Sequence, residues 1–203
     1  ASKGVGMSER PIAFIDLDGV LYDFVGGVKR GYGCTIDDTR PDLGLDPDVL
    51  RAIVHDHRTY GSVPADPDAV EAVRLLRRNF DIVFITARPN TLSIVSATAD
   101  WLNGQFDGGA ADRLIFTNGK PKPEIIHEIA PPPNSLQIDD DPQQLALLAD
   151  TVAPVLISRP WNVGREVDPI LSRLGATPIV VASVKAIADA VGPAMEELAG
   201  RSR

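Results

Sequence analysis

Asp16 and Asp18 lie two residues apart at the end of the first apolar run of this chain, just before Gly19. Two carboxylates leaving a strand into a glycine turn can share one hard cation and still leave an oxygen free to attack an electrophile. Three later features extend this pattern. Asp81-Ile82-Val83-Phe84-Ile85-Thr86 is apolar and ends on a hydroxyl, Lys120 follows Thr117-Asn118-Gly119, and Asp139-Asp140-Asp141 closes another apolar run. Carboxylate oxygens suit Mg²⁺, which takes octahedral oxygen coordination and retains several waters. The Thr86 hydroxyl can donate to a phosphoryl oxygen, and Lys120 can neutralise phosphate charge and hold the acidic cluster together. The set points to phosphoryl transfer, with Asp16, Asp139 and Asp140 as metal ligands.

These residues need elements that bring them to one place. Pro11 to Ile15, Asp81 to Thr86, Arg113 to Thr117 and Ser135 to Ile138 are short apolar runs that read as buried strands. Thr151 to Ile157 reads as a fifth, which Pro154 would place at a sheet edge, and Thr177 to Ala182 as a sixth. Helical spacing fills the intervals at Asp68 to Arg78, Thr91 to Leu102, Glu124 to Ile129 and Pro142 to Ala149. Val184 to Leu198 also looks helical, with a break at Gly192-Pro193. Alternating strand and helix predicts an α/β, Rossmann-like doubly wound parallel sheet. In such a sheet ligands bind along the edge formed by the strands' carboxyl ends, and all the chemistry-bearing residues above follow a strand there. The segment 24–65 breaks the rhythm with helical pieces at Asp23 to Arg30 and Pro47 to Thr59. It interrupts a core built from 10–23 and 66–203.

The order D-x-D-G-V, T, K, D-D over residues 11–157 resembles the haloacid dehalogenase superfamily of phosphohydrolases. That resemblance implies Asp16 as the nucleophile of an aspartyl-phosphate. It implies Asp18 as general acid and then base, with its carbonyl on the metal. Thr86 and Lys120 would bind the phosphoryl group, and Asp139 and Asp140 would complete an Mg²⁺ site. The resemblance also implies that the insertion at 24–65 is a small helical cap over the active site. Lys122 is a second candidate for the lysine, and Lys120 is favoured as closer to the strand end. Asp16 to Phe24 is similar to the D-M-D-G-V-L-A-D-F of the 5′(3′)-deoxyribonucleotidase branch, and Pro67 to Val73 to its P-G-A-V-E-A-V. Ile138-Asp139-Asp140 before an Asp-Pro pair is similar to it as well. This nearer resemblance implies that Phe24 packs against a nucleobase. It also turns Ala87, Arg88 and Trp161 of the R-P-W-N run toward the substrate. The chain departs from the branch where Ala87-Arg88 replaces Ser-Pro after Thr86, and the cap segment lacks the branch's Trp.

A net charge of −8 argues against a stable nucleic-acid partner. The single cysteine, Cys34, excludes a disulfide within the chain and suits a reducing compartment. No apolar stretch reaches membrane-span length, the first seven residues carry no secretory pattern, and a cytoplasmic location is expected. His55 and His57 sit two apart and make a poor metal pair, and all three histidines read as ordinary surface residues. The expected activity is an Mg²⁺-dependent phosphomonoesterase acting on small phosphate esters, nucleotides foremost. Its rivals are a polynucleotide-end phosphatase and a non-catalytic protein of the same fold.

Overall fold

The computed structural model describes residues 10–106, 109–148, 151–163, 179–182 and 185–186. Six parallel strands form one sheet in the order β3-β2-β1-β4-β5-β6. They are β1 (Ile12–Ile15), β2 (Asp81–Thr86), β3 (Leu114–Phe116), β4 (Leu136–Asp139), β5 (Ala153–Ile157) and β6 (Ile179–Val181). The order reverses direction between β1 and β4, which is where a doubly wound sheet opens a crevice at its carboxyl edge. The expected fold class is the observed one.

Alternation along each strand buries both faces of the sheet. Ala13, Ile15, Ile82, Phe84, Leu136, Ile138, Val155 and Ile157 pack on one face. Phe14, Ile85 and Ile126 pack on the other, with Val83 against them. The helices are α1 (Phe24–Tyr32), α2 (Pro47–Val54), α3 (Pro67–Leu76), α4 (Leu92–Gln105), α5 (Lys122–Ile129) and α6 (Pro142–Ala146). Three start at an Asp-Pro pair, at 46–47, 66–67 and 141–142. The aspartate side chain accepts from a first-turn N–H, and the proline sits where no N–H partner exists anyway. Asp23 caps α1 by accepting from the Gly26 N–H at 2.8 Å.

Two expectations are corrected. Pro154 does not mark a sheet edge, because β5 lies between β4 and β6. Among the described residues, pairing with β6 begins at Val155. The second cap helix stops at Val54, and His57–Thr59 forms a separate 3₁₀ turn capped by Asp56. The helix expected over Val184 to Leu198 lies almost wholly outside the described residues.

The 24–65 segment carries its own apolar cluster of Val25, Val28, Leu43 and Ile53. Phe24, Cys34 and Trp161 pack against it. Trp161, from the loop after β5, thereby joins this segment to the sheet edge.

Candidate active site

Asp16 continues β1, and its backbone N–H donates to the Ile138 carbonyl of β4 at 3.0 Å. This bond holds the ends of the two central strands level. The chain then turns sharply: the N–H groups of Leu21 and Tyr22 both donate to the Leu17 carbonyl, and Gly19 sits at φ +77°. Any larger residue at 19 would be strained, and a Cβ there would lie 2.1 Å from Asp140 Oδ2. Arg159 closes the turn from outside by donating to the Gly19 carbonyl. Asn162 donates to the carbonyls of Asp140 and Ile157, at 2.7 and 3.0 Å, which ties the R-P-W-N loop to the acidic loop.

Asp16, Asp139 and Asp140 place carboxylate oxygens within 4.8 Å of one another. Asp139 is fully buried, and both its oxygens are engaged. Oδ1 accepts from the Asp141 N–H at 3.0 Å, and Oδ2 accepts from Gln137 Nε2 at 2.7 Å and Lys122 Nζ at 2.8 Å. Lys122 also contacts Asp16 Oδ1 at 2.8 Å. With all groups ionised, three carboxylates and one ammonium leave a surplus of two negative charges in a buried site. Burial, then the charges of Asp139 and Asp18, raise the Asp16 carboxyl to about 7 against the opposing pull of Lys122. Burial and the charges of Asp16 and Asp139 push Asp140 up in the same direction. A set of hard oxygen donors with that surplus fits a divalent cation such as Mg²⁺.

The two candidate lysines are placed differently. Its side chain is 54% exposed and pairs with Glu128 at 3.1 Å, whereas Lys122 is 6% exposed and bridges Asp16 and Asp139. The cause is the turn between β3 and α5. Asn118 and Gly119 both take left-handed backbone angles, φ 53° and 80°, and reverse the chain before Lys120. Lys122 then opens α5, and side chains on a helix tilt toward its N-terminus, here the sheet edge. Lys120 precedes the helix and reaches outward along it.

Arg88 does not stand where it was expected. It is 3% exposed and does not line the site cavity; its guanidinium is turned onto Asp18. Thr86 is fully buried at the end of β2, and its Oγ1 accepts from the Arg88 N–H at 3.2 Å. A cavity of about 280 Å³ opens over the aspartates. Asp16, Asp18, Lys122, Asp139 and Asp140 line one side, with Ala87 and Lys120 at its margin. Phe24, Val25, Leu43 and Trp161 supply an apolar wall, and Arg40 stands near it. A larger cavity of about 670 Å³ lies on the far side of Phe24 and Trp161, away from the carboxylates. The carboxylates and Lys122 line the smaller one.

Sequence reasoning missed Gln137, because a polar residue in the middle of a buried strand carries no signal of what it faces. It also missed the residues around Arg88, namely Tyr22, Tyr60 and Thr98. Among the described residues no histidine lines the site; His127 Nδ1 meets Thr151 Oγ1 at 3.0 Å and His57 lies beside Asp56.

No family model and no curated protein matches the chain by sequence. Solved structures do match it. A haloacid dehalogenase-like family hydrolase from Streptococcus pneumoniae superposes with a TM-score of 0.60 at 17% identity, over 90% of this chain and 99% of that one. The chain has the haloacid dehalogenase-like fold. A chain assigned as a β-phosphoglucomutase from Bacteroides vulgatus aligns at a TM-score of 0.51 and 14% identity, over 89% of this chain and 86% of that one. The L-2-haloacid dehalogenase from Xanthobacter autotrophicus aligns at 0.50 and 15%, over 90% and 98%. These neighbours are hydrolases and a phosphomutase of one fold with differing reactions, so the reaction of this chain must be argued from its own residues. No helix among the described residues is long and apolar enough to cross a membrane.

Proposed function

We propose that this chain is a divalent-metal-dependent phosphomonoesterase working through an aspartyl-phosphate on Asp16. The observation that carries the reading is the triad Asp16, Asp139 and Asp140, with carboxylate oxygens within 4.8 Å of one another and Lys122 bridging the two buried members, Asp16 and Asp139. Displacing a halide from a carbon acid needs one carboxylate nucleophile and gains nothing from two more beside it. A phosphate monoester carries nearly two negative charges and repels a lone carboxylate, so a site with cation ligands beside the nucleophile suits phosphoryl transfer. The metal, held by Asp16, Asp139 and Asp140, would supply charge neutralisation at the phosphoryl oxygens.

The chain's own residues account for the rest. Lys122 engages Asp16 Oδ1 and leaves Oδ2 to attack phosphorus. The P–O(Asp16) bond forms as the ester P–O bond breaks, and the leaving oxygen takes a proton from Asp18. Water then attacks phosphorus, gives its proton to the Asp18 carboxylate, and the P–O(Asp16) bond breaks to release phosphate. Lys122 takes the place that Lys120 was expected to hold. The substrate is a small phosphate ester: Phe24, Val25, Leu43 and Trp161 offer a flat apolar wall beside the acidic cluster, which suits a nucleotide base. The 24–65 segment acts as the cap, and the site lies in a cavity too small for a folded macromolecule, which disfavours polynucleotide ends.

A panel of 4-nitrophenyl phosphate, mononucleotides, sugar phosphates, 3′-phosphorylated oligonucleotides and 2-chloropropionate, each with Mg²⁺ and with EDTA, tests the reading. Mg²⁺-dependent phosphate release with no chloride release is expected. Chloride release without phosphate release would overturn it.

A further inference from the structure

Arg88 is buried and anchored beside the site, yet it does not line the cavity. Its Nε donates to Asp18 Oδ2 at 2.8 Å and its Nη2 to Asp18 Oδ1 at 2.6 Å. This is the two-point fork that guanidinium makes with carboxylate and ammonium cannot. Its Nη1 donates to Thr98 Oγ1 on α4 at 3.0 Å. The guanidinium carbon lies 4.9 Å from the centre of the Tyr22 ring and 4.3 Å from that of Tyr60. Both rings are held by their hydroxyls, Tyr22 donating to the Thr59 carbonyl and Tyr60 to the Val54 carbonyl. Asp18 itself sits on a tight turn with its side chain 27% exposed, and its carboxyl needs a partner to keep one orientation.

We propose that Arg88 is a positioning residue. It fixes the Asp18 carboxyl for proton exchange with the leaving group and water, and it is itself fixed by Thr98, Tyr22 and the cap's Tyr60. The inference rests on the phosphatase reading above. A carboxylate offers about four lone pairs, and the fork occupies one on each oxygen. The remaining lone pairs carry the proton that passes to the leaving oxygen and later returns from water. Because Tyr60 belongs to the 24–65 segment, the orientation of the acid is referred to the cap as well as to the sheet.

The test is dependence on the leaving group. An aryl oxide departs with little help, whereas an alkoxide needs its proton, and general acid catalysis contributes typically 10²–10⁴-fold. Arg88→Lys keeps the charge and loses the fork. It should slow an alkyl ester such as a sugar phosphate by roughly ten- to a hundredfold while 4-nitrophenyl phosphate changes only a few-fold. Thr98→Val, which keeps the volume and removes one anchor, should shift the same ratio in the same direction by less. It also carries the test if Arg88→Lys does not fold. Asp18→Asn combined with Arg88→Lys should be no slower on the alkyl ester than Asp18→Asn alone, since both remove one function. Equal losses on both ester classes, or additive losses in the double variant, would overturn the positioning role and assign Arg88 to stability alone. A wild-type protein that hydrolyses neither ester with Mg²⁺ would overturn the phosphatase reading first, before any variant is compared.

Discussion

Replacing Lys122 by methionine should be far more damaging than the same change at Lys120, although the two are only two residues apart. Lys122 Nζ stands 2.8 Å from Asp16 Oδ1 and 2.8 Å from Asp139 Oδ2, with the three side chains 6%, 8% and 0% exposed. Removing the ammonium leaves buried carboxylates facing one another, and breaking a buried pair in this way costs about 3–5 kcal/mol. For a chain of this length each kcal/mol lowers Tm by about 2–4 °C, so a fall of roughly 6–20 °C in EDTA is expected. The Lys120–Glu128 pair is exposed on both sides, and such pairs contribute about 0–1 kcal/mol, so Lys120→Met should barely move Tm. The Lys122 penalty also has a pH signature. The lysine holds the Asp16 carboxyl down, so without it Asp16 rises further above about 7. Acidification then protonates Asp16 and relieves the repulsion, so the gap from wild type should narrow as pH falls toward about 7 and change little below it. In Mg²⁺-supported turnover of 4-nitrophenyl phosphate, losing one preorganised cation should cost about 10²–10³ in kcat, against a few-fold at most for Lys120→Met. A Lys120 variant that loses more activity than the Lys122 variant, or a Lys122 variant as stable as wild type at pH 8 in EDTA, would refute the placement.

Two further outcomes follow from the same geometry. Asp16 has a folded pKa of about 7 against an ordinary 3.8, so between these values the folded state binds more protons than the unfolded one. Stability in EDTA should therefore fall as pH rises from about 4 to 7, by as much as about 4 kcal/mol from this group. Denaturant unfolding of Asp16→Asn should lack that component, and identical pH dependence in the two proteins would count against it. Phe24 lies on the cavity wall, 6.3 Å ring to ring from Tyr60. Base stacking is worth about 1–3 kcal/mol, so Phe24→Ala should lower kcat/KM for nucleotides by roughly ten- to a hundredfold and leave sugar phosphates nearly unchanged. Uniform loss across substrates would remove the nucleotide pocket and leave the phosphatase chemistry intact.

The positions of Asp16, Asp18, Thr86 and Asp139 at one sheet edge were legible because each ends a short apolar run, and parallel strands align their ends whatever the loops do. The lysine was not legible. Choosing between 120 and 122 depends on how Asn118 and Gly119 turn the chain, and the distance in sequence to the strand end misleads when the turn reverses direction. Arg88 was read as facing substrate because it follows a motif threonine. Its partner lies 70 residues earlier, and a long-range fork of that kind leaves no local pattern. The reading of Pro154 failed for a related reason: whether β5 is an edge strand depends on a neighbour, β6, formed by residues more than twenty positions later.

The central claim is a covalent phosphoryl group on Asp16. Wild-type and Asp18→Asn protein, mixed with 4-nitrophenyl phosphate and Mg²⁺, quenched in acid within one turnover and reduced with borohydride, should yield a peptide in which Asp16 alone has become homoserine. The yield should be higher for Asp18→Asn, where the water step lacks its base. Steady phosphate release with Asp16 unmodified at every quench time, or with undiminished rate in Asp16→Asn, would contradict the account.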